Sequence, residues 1–164
     1  MRLFIAIQLD DAMKDALASV QRDMIRRGVR GRFTPRENLH LTLAFIGEYA
    51  DPDGVLEVID RLPFRPFTLA LRGLGAFCDL WWAGLEGSEP LAACVRALRR
   101  DLAGAGIPFD AKRFSPHITL VRRAAIEGGT MPAIALPEAR MTADHIALMR
   151  SDRGKRGMIY TELT

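Results

Sequence analysis

Two histidines in this chain head nearly identical tetrapeptides, His40-Leu41-Thr42-Leu43 within NLHLTLAFIG and His117-Ile118-Thr119-Leu120 within FSPHITLVRR. They are two of only three histidines, and they stand 77 positions apart in 164 residues, a spacing that suggests two related halves. An imidazole titrates near pH ~6.5, so of two in one cleft one can be neutral and the other protonated near neutrality. One then takes a proton while the other gives one. A phosphodiester suits such a pair. Attack by a hydroxyl or water needs a base, departure of an alkoxide needs an acid, and the nonbridging oxygens need donors. Thr42 and Thr119, each beside its histidine, are placed to be those donors.

Strand geometry supports the pairing, because alternate side chains of an extended segment point to opposite faces. His and Thr two apart share a face. Leu39, Leu41 and Leu43 form the opposite, apolar face of the first segment, and Pro116, Ile118 and Leu120 that of the second. Each segment is therefore predicted to be a half-buried strand with one imidazole and one hydroxyl on its open face.

Other chemistries find less support. Neither segment has a second His, Cys or carboxylate at metal-ligand spacing, so no metal is expected. Ser115 lies beside a histidine but in no nucleophile-elbow context, and no GxxxxGK[ST] phosphate loop is present. His145 lacks the His-x-Thr context and is expected to be structural. Trp81 and Trp82 fall on opposite faces of one strand; both are expected in the core, the alternative being that one is exposed for base stacking.

The elements that must position these residues follow from pattern and composition. With 49% hydrophobic residues, the chain has enough apolar material for one compact domain spanning 1–164. Its longest apolar stretches fall well short of the roughly 18 to 20 residues a membrane span needs. No secretory signal is legible at the start, where Asp10-Asp11 follows RLFIAIQL, so a cytoplasmic location is expected. Cys78 and Cys94 are then expected to be packing thiols without a disulfide.

Arg2 to Leu9 alternates as a strand, and Asp10 is a plausible cap for a helix to about Arg27, stopped by Gly28. After a polar turn at 34–38 the first His-x-Thr strand runs to Ile46. A second helix is predicted over Asp51 to Leu62, then a hairpin of Phe67 to Phe77 and Leu80 to Leu85 turning at Cys78-Asp79. Ser88 or Glu89 opens a third helix stopped at Gly104 and Gly106. The second His-x-Thr strand spans Pro116 to Arg122, and 127–137 reads as a loop. Closing strands are predicted over Met141 to Met149 and Met158 to Leu163, separated by a basic turn from Ser151 to Gly157. Strands in each half with helices outside give an α+β fold of two lobes.

The formal net charge of +3 permits an anionic partner without requiring one. Arginine is clustered: Arg22, Arg26, Arg27, Arg30, Arg32 and Arg36 in one stretch, Arg150, Arg153 and Arg156 with Lys155 in another. A solvated face and a phosphate-contacting surface are both open readings of these clusters.

The paired motifs resemble those of the 2H phosphoesterases, and within them the RNA 2',3'-cyclic phosphodiesterases, also known as 2'-5' RNA ligases. The similarity spans MRLFIAIQLDDAMKDAL, RFTPRENLHLTLAFIGE, RFSPHITLVRR and GMIYTELT, although the chain stops sooner after Tyr160 than the family pattern. The resemblance implies two pseudo-symmetric lobes, each an antiparallel sheet with outer helices, around a central cleft. It implies metal-free opening of RNA 2',3'-cyclic phosphate ends to 2'-phosphate without a cofactor, and 2'-5' ligation as the weaker reverse activity. His40 would be the proton donor and His117 the proton acceptor, with Thr42 and Thr119 holding the phosphate. It also implies roles for the residues five after each histidine, Phe45 against a base and Arg122 against phosphate. Strand parity places both on the face away from the histidines, so they can contribute only where the strand twists, bulges or ends. RNA with cyclic phosphate or 2'-5'-linked ends is the expected partner, and a monomer the expected state. The alternatives are a phosphodiesterase for 2'-5'-linked oligonucleotides or small cyclic nucleotides, and a noncatalytic RNA-end-binding module.

Overall fold

The structure, a computed structural model, describes residues 1–164. In chain order its elements are β1 (Arg2–Gln8), α1 (Asp11–Arg26), β2 (Arg30–Phe33), a single 3-10 turn (Arg36–Asn38), β3 (His40–Glu48), α2 (Pro52–Arg61), β4 (Phe67–Phe77), β5 (Leu80–Leu85), α3 (Glu89–Gly104), β6 (His117–Ala125), β7 (Arg140–Ala143), β8 (Ala147–Gly154) and β9 (Gly157–Leu163). The helices start where the sequence supplies caps. Asp10 accepts the Met13 amide at 2.8 Å, Asp51 that of Gly54 at 3.0 Å and Ser88 that of Leu91 at 3.2 Å. Each satisfies a backbone donor that a helix start leaves orphaned. None of these helices is long and apolar enough to cross a membrane.

The strands form two antiparallel sheets, a four-stranded one in the order β3-β1-β8-β9 and a five-stranded one in the order β2-β6-β5-β4-β7. Each sheet holds one His-x-Thr strand. The helices cover the outer faces crosswise: α1 leaves the first sheet through β1 but packs against β6 and β7 of the second, while α2 and α3 pack against β8 and β3 of the first. Leu3, Ile5 and Ile7 of β1, Leu41 and Leu43 of β3, Ile118 and Leu120 of β6 and Leu98 and Leu102 of α3 lie in one continuous apolar core. The two-lobed α+β architecture expected from the sequence is the one observed.

Three local expectations are corrected. Met141 to Met149 is not one strand. The polar pair Asp144-His145 interrupts it, and the chain crosses there from β7, beside β4, to β8, beside β1. The basic segment from Ser151 to Gly157 is mostly strand, since β8 and β9 pair down to Gly154 against Gly157, with only Lys155-Arg156 at the turn. β2 was not legible at all: its four residues carry two arginines and a glycine, and only pairing with β6 makes them a strand. Trp81 is buried as expected, but Trp82 is only half-buried and belongs to the cleft side rather than the core.

Candidate active site

β3 and β6 bring both histidines to one cleft of about 820 Å³, with Thr42, Thr119, Phe45 and Arg122 also in its wall. The rings are oriented alike. His40 Nδ1 donates to the Asn38 carbonyl at 2.7 Å and His117 Nδ1 to the Ser115 carbonyl at 2.7 Å, in each case two residues back along the chain. A carbonyl can only accept, so the proton of each neutral ring sits on Nδ1. Nε2 is thereby left as the basic nitrogen, and as the donor once the ring is protonated.

Phe45 and Arg122 reach the cleft through matching bulges. Along β3, Ala6 pairs with Thr42 and Ile5 with Ala44, leaving Leu43 as an inserted residue. Along β6, Trp82 pairs with Thr119 and Trp81 with Val121, leaving Leu120 inserted. Each bulge falls three residues after its histidine and reverses the alternation beyond it. The parity argument that turned Phe45 and Arg122 away from the histidines is therefore corrected: it assumed an uninterrupted strand. Side chains from the crossed helices, Gln21 buried and Arg99 half-buried, hold the bulged carbonyls. Gln21 of α1 donates to the Leu120 carbonyl at 3.0 Å and to that of Thr34 at 2.9 Å. Arg99 of α3 reaches the Leu43 carbonyl at 3.4 Å and that of Lys112 at 2.7 Å. The segments leading into the two strands are also exchanged, with the Thr34 amide bonded to the Leu120 carbonyl at 2.9 Å and the Asp110 amide to that of Phe45 at 2.8 Å.

The two imidazoles differ in what surrounds them. His40 packs against Phe4, ring centroids 4.9 Å apart, and against the edge of Tyr160 at 5.3 Å, and the Thr42 hydroxyl lies 2.9 Å from its Nε2. Burial pushes the His40 imidazole below its ordinary value. The Asn38 carbonyl opposes this, and the charges of Arg122, His117 and Lys14 add to the lowering. His117 has Phe77 edge-on at 5.1 Å and Trp82 at 6.2 Å, and no hydroxyl bonded to its Nε2. Trp82 can lie there because residue 75 is glycine: a Cβ at Gly75 would come within 2.3 Å of the indole. Phe4, Phe77, Trp82 and Tyr160 escaped the sequence reading as ring-positioning residues, since they come from four strands with no common motif. The nearest signal was the doubled tryptophan itself. His145 is exposed and bonds the neighbouring Asp144 carboxylate at 2.8 Å, outside the cleft.

Comparison with known proteins places this geometry. A family model described as the 2'-5' RNA ligase superfamily matches residues 10–155. An RNA 2',3'-cyclic phosphodiesterase of Thermus thermophilus is 36% identical, the match covering 99% of this chain and 88% of that one. One of Thermotoga maritima is 32% identical over 74% of this chain and 70% of its own. Among solved structures, E. coli LigT in apo form superposes with a TM-score of 0.82 at 26% identity, over 99% of this chain and 94% of that one. The same protein complexed with 3'-AMP gives 0.80. Two His-x-Thr strands facing one cleft, over a match running almost from end to end, place this chain in the 2'-5' RNA ligase superfamily.

Proposed function

We propose that the protein opens the 2',3'-cyclic phosphate at the end of an RNA strand to a 2'-phosphate, and catalyses 2'-5' ligation as the weaker reverse reaction. The observation that carries this reading is the shared ring orientation: with both Nδ1 protons held by backbone carbonyls, Nε2 is the nitrogen left to exchange protons on each ring, that of His40 meeting the Thr42 hydroxyl at 2.9 Å in the free protein. His117 Nε2 takes a proton from water as the water oxygen attacks phosphorus. The bond from phosphorus to O3' breaks, and His40 Nε2 gives its proton to that oxygen. Exchange with solvent then restores both rings. Thr42, Thr119 and Arg122 hold the phosphate oxygens, where charge accumulates in the transition state, and Phe45 packs against the terminal base.

The lowered pKa of His40 fits this division once substrate is considered. In the free protein the ring is neutral at pH 7 and accepts the Thr42 hydroxyl proton at Nε2. A bound phosphate brings negative charge beside it, which favours the protonated ring a donor requires. The reading is metal-free and cofactor-free. Its support is that the imidazole pair supplies both proton transfers, and that no three His, Cys, Asp or Glu side chains cluster as a metal site. The free thiols of Cys78 and Cys94 are in keeping with a cytoplasmic setting.

The test is to incubate the protein with EDTA and an oligonucleotide ending in a 2',3'-cyclic phosphate, and to identify the product. A 2'-phosphate end formed at an undiminished rate is expected. A 3'-phosphate end, or loss of turnover on chelation, overturns the reaction as written. Tight binding without turnover would make the protein an RNA-end-binding module instead.

A further inference from the structure

The two arginine clusters of the sequence converge in space. Beside the catalytic cleft lies a second pocket of about 480 Å³, walled by Arg32 of β2 and by Arg153 and Arg156 at the β8–β9 turn, together with Arg122. Arg122, Arg153, Met158 and Tyr160 line both cavities, so the second opens from the first. The contrast in charge is sharp. The catalytic cleft carries Glu48, Asp110 and Asp152 among its lining residues, whereas the second pocket has four arginines and no carboxylate. None of those four guanidinium groups forms an ion pair, although Arg26, Arg36, Arg96, Arg100, Arg140 and Arg150 elsewhere do. The neighbouring Asp152 is already engaged by Arg150 at 2.8 Å, which leaves Arg153 unpaired beside it.

Four exposed, unpaired guanidinium groups around one concavity repel one another and favour an anion that can be gripped by several planar forks at once. The aromatic residues narrow the choice further. Half-buried Phe33 and Tyr160 line the same pocket, and arginine alternating with aromatic faces is how single-stranded nucleic acid is held without sequence readout. The position of the pocket, continuous with the cleft through Arg122, puts it where the chain leading to a phosphate between the histidines must go.

We propose that this pocket binds the phosphodiester backbone upstream of the reacting end, so that the preferred substrate is a single-stranded RNA of at least two nucleotides rather than a mononucleotide. This rests on the reaction assigned above to the cleft. Arg32 and Arg156, which line only the second pocket, grip the upstream phosphate. Arg122 and Arg153 stand at the junction.

Binding of product separates this proposal from turnover. RNAs of one, two and four nucleotides ending in 2'-phosphate are titrated by competition against a fluorescent tetranucleotide at low salt. Binding is expected to tighten about 10-fold or more between one and two nucleotides. An Arg32→Ser/Arg156→Ser double variant, whose two sites are exposed and unpaired and so safe for folding, loses that gain but binds the mononucleotide as the native protein does. The slope of log Kd against log salt for the tetranucleotide falls by about 0.7, the value for one phosphate no longer neutralised on a single strand. Equal affinity for all three lengths, or a double variant that weakens mononucleotide and tetranucleotide alike, overturns the proposal. Length-dependent binding lost in the double variant, by a protein that does not open the cyclic phosphate, upholds this groove and sinks the phosphodiesterase reading. Turnover with length-independent binding does the reverse.

Discussion

The lobe around His40 and the lobe around His117 use the same strand, the same bulge and the same carbonyl anchor, and still give their imidazoles different environments. His40 is wrapped by Phe4 and Tyr160 and tied to its own threonine at 2.9 Å. His117 touches Phe77 and Trp82 and leaves Thr119 unbound to it. Burial lowers the affinity of the first ring for a proton. The bulges also differ in their anchors: on the His117 side the neutral, buried Gln21 holds the bulged carbonyl at 3.0 Å, while on the His40 side the cationic Arg99 reaches its carbonyl only at 3.4 Å. Duplicated geometry thus sets the positions of the two imidazoles, and the packing around His40 weakens its hold on a proton.

The largest test of that asymmetry is removal of each ring. His40→Ala and His117→Ala are each expected to lower kcat by about 10²- to 10⁴-fold, the usual worth of a positioned acid or base. Their residual pH profiles should differ. His40→Ala loses the alkaline limb of the native bell, because its acid is gone, and His117→Ala loses the acidic limb. In the native protein the alkaline limb should lie at higher pH in kcat than in kcat/KM, since only the former reports the substrate-bound state in which phosphate charge supports the His40 proton. Interchanged limbs would exchange the roles of the two histidines, and native rates in both variants would remove the pair from the mechanism.

A smaller effect is expected from the bulge anchors. Gln21→Leu strips the Leu120 and Thr34 carbonyls of their shared donor in a buried setting and should cost about 1 to 3 kcal/mol in chemical denaturation. Since the Leu120 bulge aims Arg122, KM should rise in Gln21→Leu more than kcat falls. Arg99→Leu gives up a long bond to Leu43 and a 2.7 Å bond to the exposed Lys112 carbonyl, which water can replace, and should cost less. If the two variants are equally destabilised, the difference between the anchors is one of chemistry only and not of energy.

The mildest effect is a pH dependence of stability arising at His40. A folded-state pKa below the unfolded value of 6.5 means that, as pH falls through that value, the unfolded chain takes up a proton at His40 that the folded one refuses. The stability present above pH 6.5 is therefore lost progressively on acidification, until the lower folded value is passed. His40→Gln should flatten this slope in urea denaturation at graded pH. A slope that persists in His40→Gln would place the responsible group elsewhere.

Much of the scaffold was legible because its signals are local. Asp10, a choice of Asp51 or Asp53, and one of Ser88 or Glu89 announced the three helices, whose caps are Asp10, Asp51 and Ser88; the apolar runs on either side of Cys78-Asp79 announced the hairpin, and the two-residue spacing of His and Thr placed both on one face. What escaped is set by partners distant in sequence. A bulge is defined by the strand opposite, so nothing within LTLAFIG or ITLVRR separates it from plain alternation, and parity failed at Phe45 and Arg122 for that reason. β2 exists only against β6. The break at Asp144-His145 was masked by β-prone neighbours on both sides, which serve different sheets.

That crossing from β7 to β8 governs the order in which the molecule can be completed. β1, the first strand made, has five consecutive buried residues from Leu3 to Ile7 and pairs with β3 along one edge and with β8 along the other. Until the chain has passed Asp144 and β8 has docked, that second edge is an open apolar template of the kind that recruits foreign strands. β9, which brings Tyr160 to His40 and the Met158 carbonyl to Asn38, arrives later still. During synthesis the surroundings of His40 are therefore completed last, and a chain arrested before Ala147 leaves the second edge of β1 exposed to aggregation.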